Sequence, residues 1–392
     1  MAAGRRTRIL IVDDSAVMRS LVRSVVGTDA SLEVAGTVGD GESALLAIES
    51  LRPDLILLDV EMPVMDGLTT LKKLRSRGHK MPVIMCSALT QRGAKVTIEA
   101  LASGASDYVA KPAGQSSREG AILTLGQDLI PKIHALTSPS QAMAQPAIAG
   151  LRPGIGSGSG PGIMPYIARM SPIPPLAHPR VQAISSQPVA LAIGVSTGGP
   201  AALDILLPLL PASFPLPVLI VQHMPELFTK SFAERLNGRC QLAVHEAIEG
   251  ESVHSGTIYI AKGDWHMEVL AGARPGSQAT LHLTQDPFEN HCRPAVDVLF
   301  RSAASVYGSG VLALVLTGMG LDGLAGSRII RDRGGAVLAQ DRASSTVWGM
   351  PGAVTNAGLA HKVLPLNAIA PEILRLVSQT RSEDRELRES VV

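Results

Sequence analysis

The sequence predicts two α/β domains, each built on a doubly wound parallel sheet, joined by a flexible linker. Short apolar runs alternate with stretches of helical spacing in residues 7–137 and again from residue 188 onward. That alternation is typical of a parallel sheet covered by helices on both faces. Between the two regions, residues 138–187 are rich in Pro, Gly and Ser and contain no Asp or Glu, which indicates a flexible tether. A chain of 392 residues has room for two to three such domains.

Composition narrows the class of protein further. The formal net charge is only +1, so no basic face for nucleic acid is expected. Cys86, Cys240 and Cys292 are far apart and form no disulfide or metal-ligand spacing, which suits a reducing compartment. No apolar run approaches the ~20 residues of a membrane span. We therefore expect a soluble, cytoplasmic protein without membrane insertion.

The first domain places polar residues at the carboxyl ends of its predicted strands, the edge at which parallel sheets form their sites. Asp13 and Asp14 close the first strand, Asp59 the third, Ser87 the fourth and Lys111 the fifth. Carboxylates that converge repel one another unless a cation joins them, and oxygen ligands suit Mg²⁺. A lysine and a hydroxyl beside them can bind phosphoryl oxygens. This pattern predicts an aspartate that accepts a phosphoryl group. A lone strand-end aspartate more often caps a helix, but that interpretation does not account for the whole set.

Residues 7 to about 137 resemble a response-regulator receiver domain, which has a flavodoxin-like fold. The resemblance rests on the segments Ile9–Asp14, Leu57–Gly67, Cys86–Ala88, Gly104–Tyr108 and Lys111-Pro112. It implies that a histidine kinase phosphorylates Asp59 and that Asp13, Asp14 and Asp59 hold Mg²⁺. It further implies that Ser87 is the switch hydroxyl, Tyr108 the switch aromatic and Lys111 the phosphate-binding lysine.

In the second domain, three apolar strands run into polar turns that carry Ser196, His223 and Asp322. Gly194, Ser196 and Gly198 fit G-x-S-x-G, a pattern that exposes a serine hydroxyl on a tight strand-to-helix turn. The pattern makes Ser196 a candidate nucleophile. The alternative is a glycine-rich connection with a spectator serine.

His223 directly ends a buried strand, so it is the candidate base for Ser196, and Asp322 on a glycine-flanked loop is the candidate that orients it. Asp297 competes with Asp322, but its helical context favours a structural role. The chain order Ser, His, Asp differs from the Ser, Asp/Glu, His order of α/β-hydrolases. Segments around 243–260 and 278–283 alternate like antiparallel strands, which predicts a small β appendage on this Rossmann-like domain.

Residues 188 to about 380 resemble the catalytic domain of the chemotaxis protein-glutamate methylesterases. The matching stretches are Gly194–Gly199, Gln222–Pro225, Ser231–Leu236, Gly263–Met267, Arg293–Phe300 and Leu316–Gly323. The resemblance implies a Ser196–His223–Asp322 triad, backbone oxyanion donors at Thr197 and Met319, and a substrate contact from Arg293. It also implies hydrolysis of glutamate γ-methyl esters on chemoreceptors, deamidation of receptor glutamines, and no cofactor for the esterase reaction.

Together these features predict a methylesterase controlled by phosphorylation, with the unphosphorylated receiver covering the Ser196 cleft. Chemoreceptors would be its substrates and a chemotaxis histidine kinase its phosphodonor. The predicted bounds are 1–137 for the receiver, 138–187 for the linker, 188–381 for the catalytic domain and 382–392 for a charged tail. The alternative is a non-enzymatic receiver protein whose second domain only binds a partner.

Overall fold

A computed structural model describes residues 5–112, 117–137, 187–274 and 277–389, and the side chains up to residue 378. The predicted linker lies outside the described residues except for its last residue, Gln187. Along the described chain, no helix combines the length and the apolar character needed to cross a bilayer.

The first domain follows the predicted alternation of strands and helices. Its elements are β1 Thr7–Val12, α1 Ala16–Val26, β2 Leu32–Val38, α2 Gly41–Leu51, β3 Leu55–Asp59, α3 Gly67–Ser76, β4 Val83–Ser87, α4 Gln91–Ala102, β5 Asp107–Ala110 and α5 Arg118–Thr137. The five strands form a parallel sheet in the order β2-β1-β3-β4-β5. Alternate strand residues point to opposite faces. Ile9 and Ile11 therefore pack with α1 and α5, while Leu10 and Val12 pack with α2, α3 and α4. The predicted doubly wound fold is confirmed.

The second domain contains a longer parallel sheet. Its elements are β6 Ala190–Val195, α6 Gly199–Leu206, β7 Val218–Gln222, α7 Glu226–Asn237, β8 Ala243–Glu246, β9 Thr257–Ile260, β10 His266–Leu270, β11 Thr280–Thr284, α8 Val296–Tyr307, β12 Val311–Val315, α9 Leu324–Asp332, β13 Ala336–Gln340, α10 Met350–Asn356, β14 Lys362–Leu364 and α11 Leu366–Glu389. Seven strands pair in parallel in the order β14-β13-β12-β6-β7-β9-β8. The parallel α/β fold is thus confirmed for this domain also.

The predicted antiparallel appendage is correct for one of its two segments. Strand β11 pairs antiparallel with β10, so the prediction for residues 278–283 is confirmed. The prediction for 243–260 is wrong for β8 and β9, which pair in parallel and extend the main sheet. Between these two strands, Ser252 does form an antiparallel bridge with Thr280. Strand β8 lies at the sheet edge and is only partly buried, so its sequence alternates as an antiparallel strand would.

Strand order brings the candidate site together. Strand β6 lies between β12 and β7, with Val195 opposite Gln222 and Gly194 opposite Val315. The turns that follow these three strands therefore leave the sheet at the same edge. Ser196, His223 and the loop to Asp322 all lie on these turns.

The receiver domain packs against the catalytic domain beside that edge. The Tyr108 ring stacks on the Phe228 ring, with centroids 4.8 Å apart and an interplanar angle of 19°. The Thr197 hydroxyl donates to Asp107 Oδ2 at 2.7 Å, and both side chains are buried. Helix α4 contacts α6 and α7, and one apolar cluster is continuous across the two domains.

Candidate active site and acid pocket

Ser196 lies at the turn between β6 and α6, half-buried and held by its own backbone. Its amide donates to Thr317 O at 3.0 Å, and its carbonyl accepts from the Gly199 amide at 2.8 Å. Gly198 has a φ of +79°, and a Cβ there would clash with Thr346, so the turn needs glycine at this position. A Cβ on Gly318 would lie 2.8 Å from the Ser196 Cβ, so the loop after β12 can approach the serine only because that residue is glycine too.

His223 lies directly after β7, as the sequence predicts, and is tied to Asp322. Its amide donates to Val195 O at 3.1 Å, and its Nε2 lies 2.8 Å from Asp322 Oδ2. Its other ring nitrogen, Nδ1, lies 3.5 Å from the Sγ of Cys292. Within the part of the chain that the structure describes, no hydrogen bond joins Ser196 Oγ to His223. The structure therefore joins two of the three predicted residues and places the third on the adjacent strand end.

Asp322 is almost completely buried and accepts a hydrogen bond at every side. Oδ2 accepts from His223 and from the Val296 amide, the latter at 2.6 Å. Oδ1 accepts from the amides of Asp297 and Gly323, each at 3.0 Å, and from Asn290 Nδ2 at 2.9 Å. Two of these amides begin α8, and the amino end of a helix favours negative charge.

Burial and hydrogen bonds together determine the charges of Asp322 and His223. Burial alone would raise the pKa of Asp322, but the hydrogen bonds from His223 and the α8 amides lower it below its ordinary value. Burial opposes the charged form of His223, but hydrogen bonds to Asp322 and Cys292 outweigh it and raise the pKa of the imidazole. Asp322 is therefore an anion at neutral pH that stabilises an imidazolium on His223.

Asp297 takes the structural position that its helical context predicts. Its Oδ1 accepts from the Gly326 amide at 2.6 Å, and its Oδ2 accepts from Asn290 at 2.9 Å. These contacts join α8 to α9. Burial raises the pKa of Asp297, in contrast to the lowered pKa of Asp322.

The two predicted oxyanion donors flank Ser196. Thr197 follows the serine, and its carbonyl accepts from the Thr317 hydroxyl at 2.9 Å. Met319 lies on the loop held close to Ser196 through Gly318, whose carbonyl accepts from the Met350 amide at 2.9 Å. Among the described residues, the Thr197 and Met319 amides donate to no other group. Both N–H groups can therefore bind an oxyanion.

Arg293 is occupied by the loops around the appendage. Its Nε and Nη2 donate to Asp264 Oδ1 at 3.1 and 2.7 Å, and its Nη1 donates to the carbonyls of Gln285 and Asp286. Its guanidinium carbon lies 4.4 Å from the centre of the Phe288 ring. This geometry favours a clamp on these loops, and the predicted substrate contact stays a prediction.

Asn290 and Cys292 are residues of the site that sequence analysis missed. Asn290 bridges Asp297 and Asp322, and Cys292 contacts His223. Neither follows a strand, and cysteine spacing along the chain gave no reason to associate Cys292 with a histidine 69 residues away. Only their position in the chain could have indicated a role for these two residues. They lie in the segment directly before α8, the helix whose amides bind Asp322.

The acid pocket of the first domain forms as predicted at the carboxyl edge of its sheet. Lys111 Nζ lies 2.8 Å from Asp13 Oδ2 and 2.7 Å from Asp59 Oδ2. Asp13, Asp14 and Asp59 offer oxygen atoms within 4.8 Å of one another. Burial raises the pKa of Asp59 and Asp13 adds to the effect, although Lys111 opposes it. The Asp59 carboxylate is thus incompletely compensated.

The two predicted switch residues lie on β4 and β5, which follow the Asp59 strand in the sheet. Ser87 ends β4 fully buried, and its hydroxyl donates to Ala88 O at 3.2 Å. The Ser87 carbonyl accepts from the Lys111 amide at 2.7 Å, so the two residues lie side by side at the ends of β4 and β5. Tyr108 is buried against Phe228 in the other domain. Burial raises the pKa of its phenol well above the ordinary range.

Fold and site together define a response regulator with an enzymatic α/β output domain. The response regulator receiver family matches residues 9–122, and the CheB methylesterase family matches residues 191–373. A protein-glutamate methylesterase/protein-glutamine glutaminase of Trichodesmium erythraeum is 46% identical over 94% of this chain and 99% of its own length. One from a Nocardioides species is 46% identical over 95% of this chain and 96% of its own. The chain belongs to this family of methylesterases.

The chain is also similar to a solved structure. The CheB methylesterase catalytic domain of Thermotoga maritima is 42% identical, covers 49% of this chain and all of its own, and has a TM-score of 0.47.

Proposed function

We propose that this protein acts in the cytoplasm on methyl-accepting chemoreceptors. It hydrolyses their glutamate γ-methyl esters to glutamate and methanol, and their glutamine amides to glutamate and ammonia. The names of its relatives give this reaction class. The observation that carries the proposal is the His223–Asp322 pair at 2.8 Å, on the strand end next to Ser196.

In the proposed reaction each side chain of the triad has one step. Ser196 Oγ attacks the ester carbonyl and loses its proton to His223, and the new C–O bond pushes an electron pair onto the carbonyl oxygen. Because Asp322 occupies Nε2, the nitrogen that accepts this proton is Nδ1, which must give up its contact with Cys292 Sγ. The imidazolium then gives the proton to the departing methanol. Water repeats the sequence on the acyl-serine and releases glutamate.

The oxyanion formed in the first step is stabilised by the Thr197 and Met319 amides. Loss of one such donor typically costs about 10²–10³ in kcat. Their lack of other partners among the described residues supports this role, as does the start of α6 immediately beyond Ser196.

Phosphorylation of Asp59 by a histidine kinase controls access to this site. The receiver contacts Thr197, the residue next to the nucleophile, through Asp107 at 2.7 Å. Its switch aromatic, Tyr108, stacks on the catalytic domain. A phosphoryl group adds about −1.5 to −2 of charge. That charge draws Lys111 and Ser87 into new contacts, and the population shifts toward an undocked receiver.

Mg²⁺ is the cofactor proposed for the receiver. Asp13, Asp14 and Asp59 would hold it, because their oxygens already converge and hard cations prefer such ligands. When bound, the ion neutralises charge on the incoming phosphoryl group. Lys111, which contacts both Asp13 and Asp59, would bind oxygens of the same phosphoryl group.

The test of the reaction is methanol release from methylated receptor membranes. Ser196→Ala is expected to abolish release while receptor association is kept, and Ser277→Ala, on an exposed loop of the same domain, is the matched control. Release that continues at the parental rate in Ser196→Ala would remove this serine from the mechanism.

Regulation is tested separately with the full chain and a small acyl phosphate as phosphodonor. Asp59→Asn is expected to retain the basal rate and to lose the response to the phosphodonor. A variant that still accelerates with the phosphodonor would show that control does not pass through Asp59.

A further inference from the structure

The thiol of Cys292 lies inside the candidate active site, although the proposed reaction does not use it. Its Sγ lies 3.5 Å from His223 Nδ1, the ring nitrogen that Asp322 does not contact. Both groups are partly accessible, since the His223 side chain is 13% exposed and Cys292 is half-buried. Neither residue is therefore sealed from solvent, and the sulfur and the ring nitrogen lie within contact distance of each other.

The segment that carries the thiol is held in place before any ligand arrives. The backbones of Glu289 and Cys292 exchange two hydrogen bonds, at 3.1 and 2.8 Å. The Glu289 carboxylate is bound by both terminal nitrogens of Arg301, at 2.5 and 2.7 Å. Rigid support of this kind distinguishes a built site from a side chain that meets a histidine by chance.

The spacing matches two ligands of one tetrahedral metal ion. Zinc binds cysteine sulfur at about 2.3 Å and histidine nitrogen at about 2.0–2.1 Å, so such ligands lie about 3.5 Å apart. The observed Sγ to Nδ1 distance is 3.5 Å. Asp322 on the far nitrogen completes the carboxylate–histidine–metal arrangement that orients metal-binding imidazoles. Atoms of His223, Cys292 and Asp322 that could bind a metal all lie within 4.8 Å of one another.

We propose that Cys292 and His223 form an inhibitory site for a thiophilic divalent cation such as Zn²⁺. The Cys292 thiol loses its proton to solvent, and Sγ and Nδ1 each donate an electron pair to the ion. Water completes the coordination, and Asp322 holds the ring. Because Nδ1 is the nitrogen that accepts the Ser196 proton, a bound ion removes the base. Inhibition therefore rests on the proposed function, whereas binding does not.

Binding is tested with Co²⁺, whose spectrum reports its ligands, on the full chain in a phosphine reductant. Excess Mg²⁺ occupies the acid pocket, because carboxylates hold Mg²⁺ and thiolates do not. One equivalent of Co²⁺ is expected to produce a thiolate-to-cobalt charge-transfer band in the near ultraviolet. Cys292→Ser should remove the band, and Cys240→Ser, at a half-buried cysteine of the same domain, should keep it. Circular dichroism confirms folding of each variant.

The binding proposal is overturned if no thiolate band forms, or if the band persists in Cys292→Ser. The same titration in Ser196→Ala separates it from the proposed reaction, since a dead esterase should still give the band. For inhibition, each variant is compared with its own metal-free rate of methanol release. Cys292→Ser should need at least about tenfold more Zn²⁺ for half inhibition, because it lacks one of two protein ligands. Equal sensitivity of parent and Cys292→Ser would overturn the inhibitory role.

Discussion

Asp59 and Asp322 occupy comparable positions, each beyond the carboxyl end of a parallel strand, yet the protein treats their charges in opposite ways. Asp59 is buried beside Asp13 with Lys111 as its cation, and its pKa is raised. Asp322 is buried among backbone amides and His223, and its pKa is lowered. The difference is that amides fix a permanent anion, whereas a shared lysine leaves a carboxylate ready to bind a cation or a phosphoryl group.

The largest expected effect comes from removing the fixed anion. Asp322→Asn should lower the kcat of methanol release by about 10⁴, because an amide no longer stabilises the imidazolium or holds its tautomer. Stopped assays of methanol release measure the rate, and a thermal melt shows whether the variant is folded.

Asp297→Asn is the matched control for that substitution. Asp297 is also buried and also accepts from Asn290, but it makes no contact with His223 in the described structure. Its loss should act on stability more than on kcat. If kcat fell equally in the two variants, the assignment of a catalytic role to Asp322 and a structural role to Asp297 would be wrong.

The same contrast explains how far sequence could predict each site. All five residues of the acid pocket end a strand or come within two residues of its end, and strand ends are visible as apolar runs that stop at polar residues. The catalytic site is completed by Asn290, Cys292 and the amides of α8, none of which follows a strand. Their positions depend on how α8 packs on the sheet, which is tertiary information that local pattern does not contain.

The direction of strand pairing was the second feature that the sequence did not predict correctly. Alternation predicted antiparallel pairing for 243–260, whereas β8 and β9 pair in parallel, because an exposed edge strand has the same pattern in either direction. The contact between Asp107 and Thr197 was equally invisible, since it joins residues 90 positions apart in different domains. The alternation of strands and helices along the chain predicted the fold of each domain. The contact between the receiver and the catalytic domain could be seen only in the structure.

The receiver interface should respond to loss of Asp107. A hydrogen bond to a charged group contributes about 1.5–3 kcal/mol. Asp107→Ala is therefore expected to raise the unphosphorylated esterase rate at least about tenfold, since about 1.4 kcal/mol is a factor of ten. Lys132 Nζ lies 4.0 Å from Asp107 Oδ1 and 2.8 Å from Asp128 Oδ1. Asp128→Ala is therefore the control, because Asp128 contacts the same lysine from an exposed position. A basal rate that does not change in Asp107→Ala would mean that this contact does not keep the site closed.

The pH dependence of kcat/KM tests how Asp322, the fixed anion, affects the protonation of His223. A base must be neutral to act, so the raised pKa of His223 places the rise of kcat/KM at higher pH than an ordinary histidine would. Cys292 contributes to that increase, so Cys292→Ala should move the rise to lower pH. Cys240→Ala should leave it in place. A shift to higher pH would show that the thiol lowers the imidazole pKa.

The smallest effect is expected at Arg293, where the two possible roles predict different measurements. As a clamp, Arg293 holds Asp264 and two carbonyls and stacks on Phe288, with only 15% of its side chain exposed. Lysine cannot reproduce this set of bonds, so Arg293→Lys should cost about 1 kcal/mol of stability. It should leave kcat/KM within about threefold of the parent. Arg274→Lys, on the exposed loop after β10, should change neither quantity. If Arg293 instead bound the substrate, Arg293→Lys would raise KM and leave the melting temperature unchanged. For that outcome the Arg293 guanidinium would have to release Asp264 and bind the substrate instead. Substrate specificity would then come from the loops around β10 and β11, and not from the residues at the strand ends.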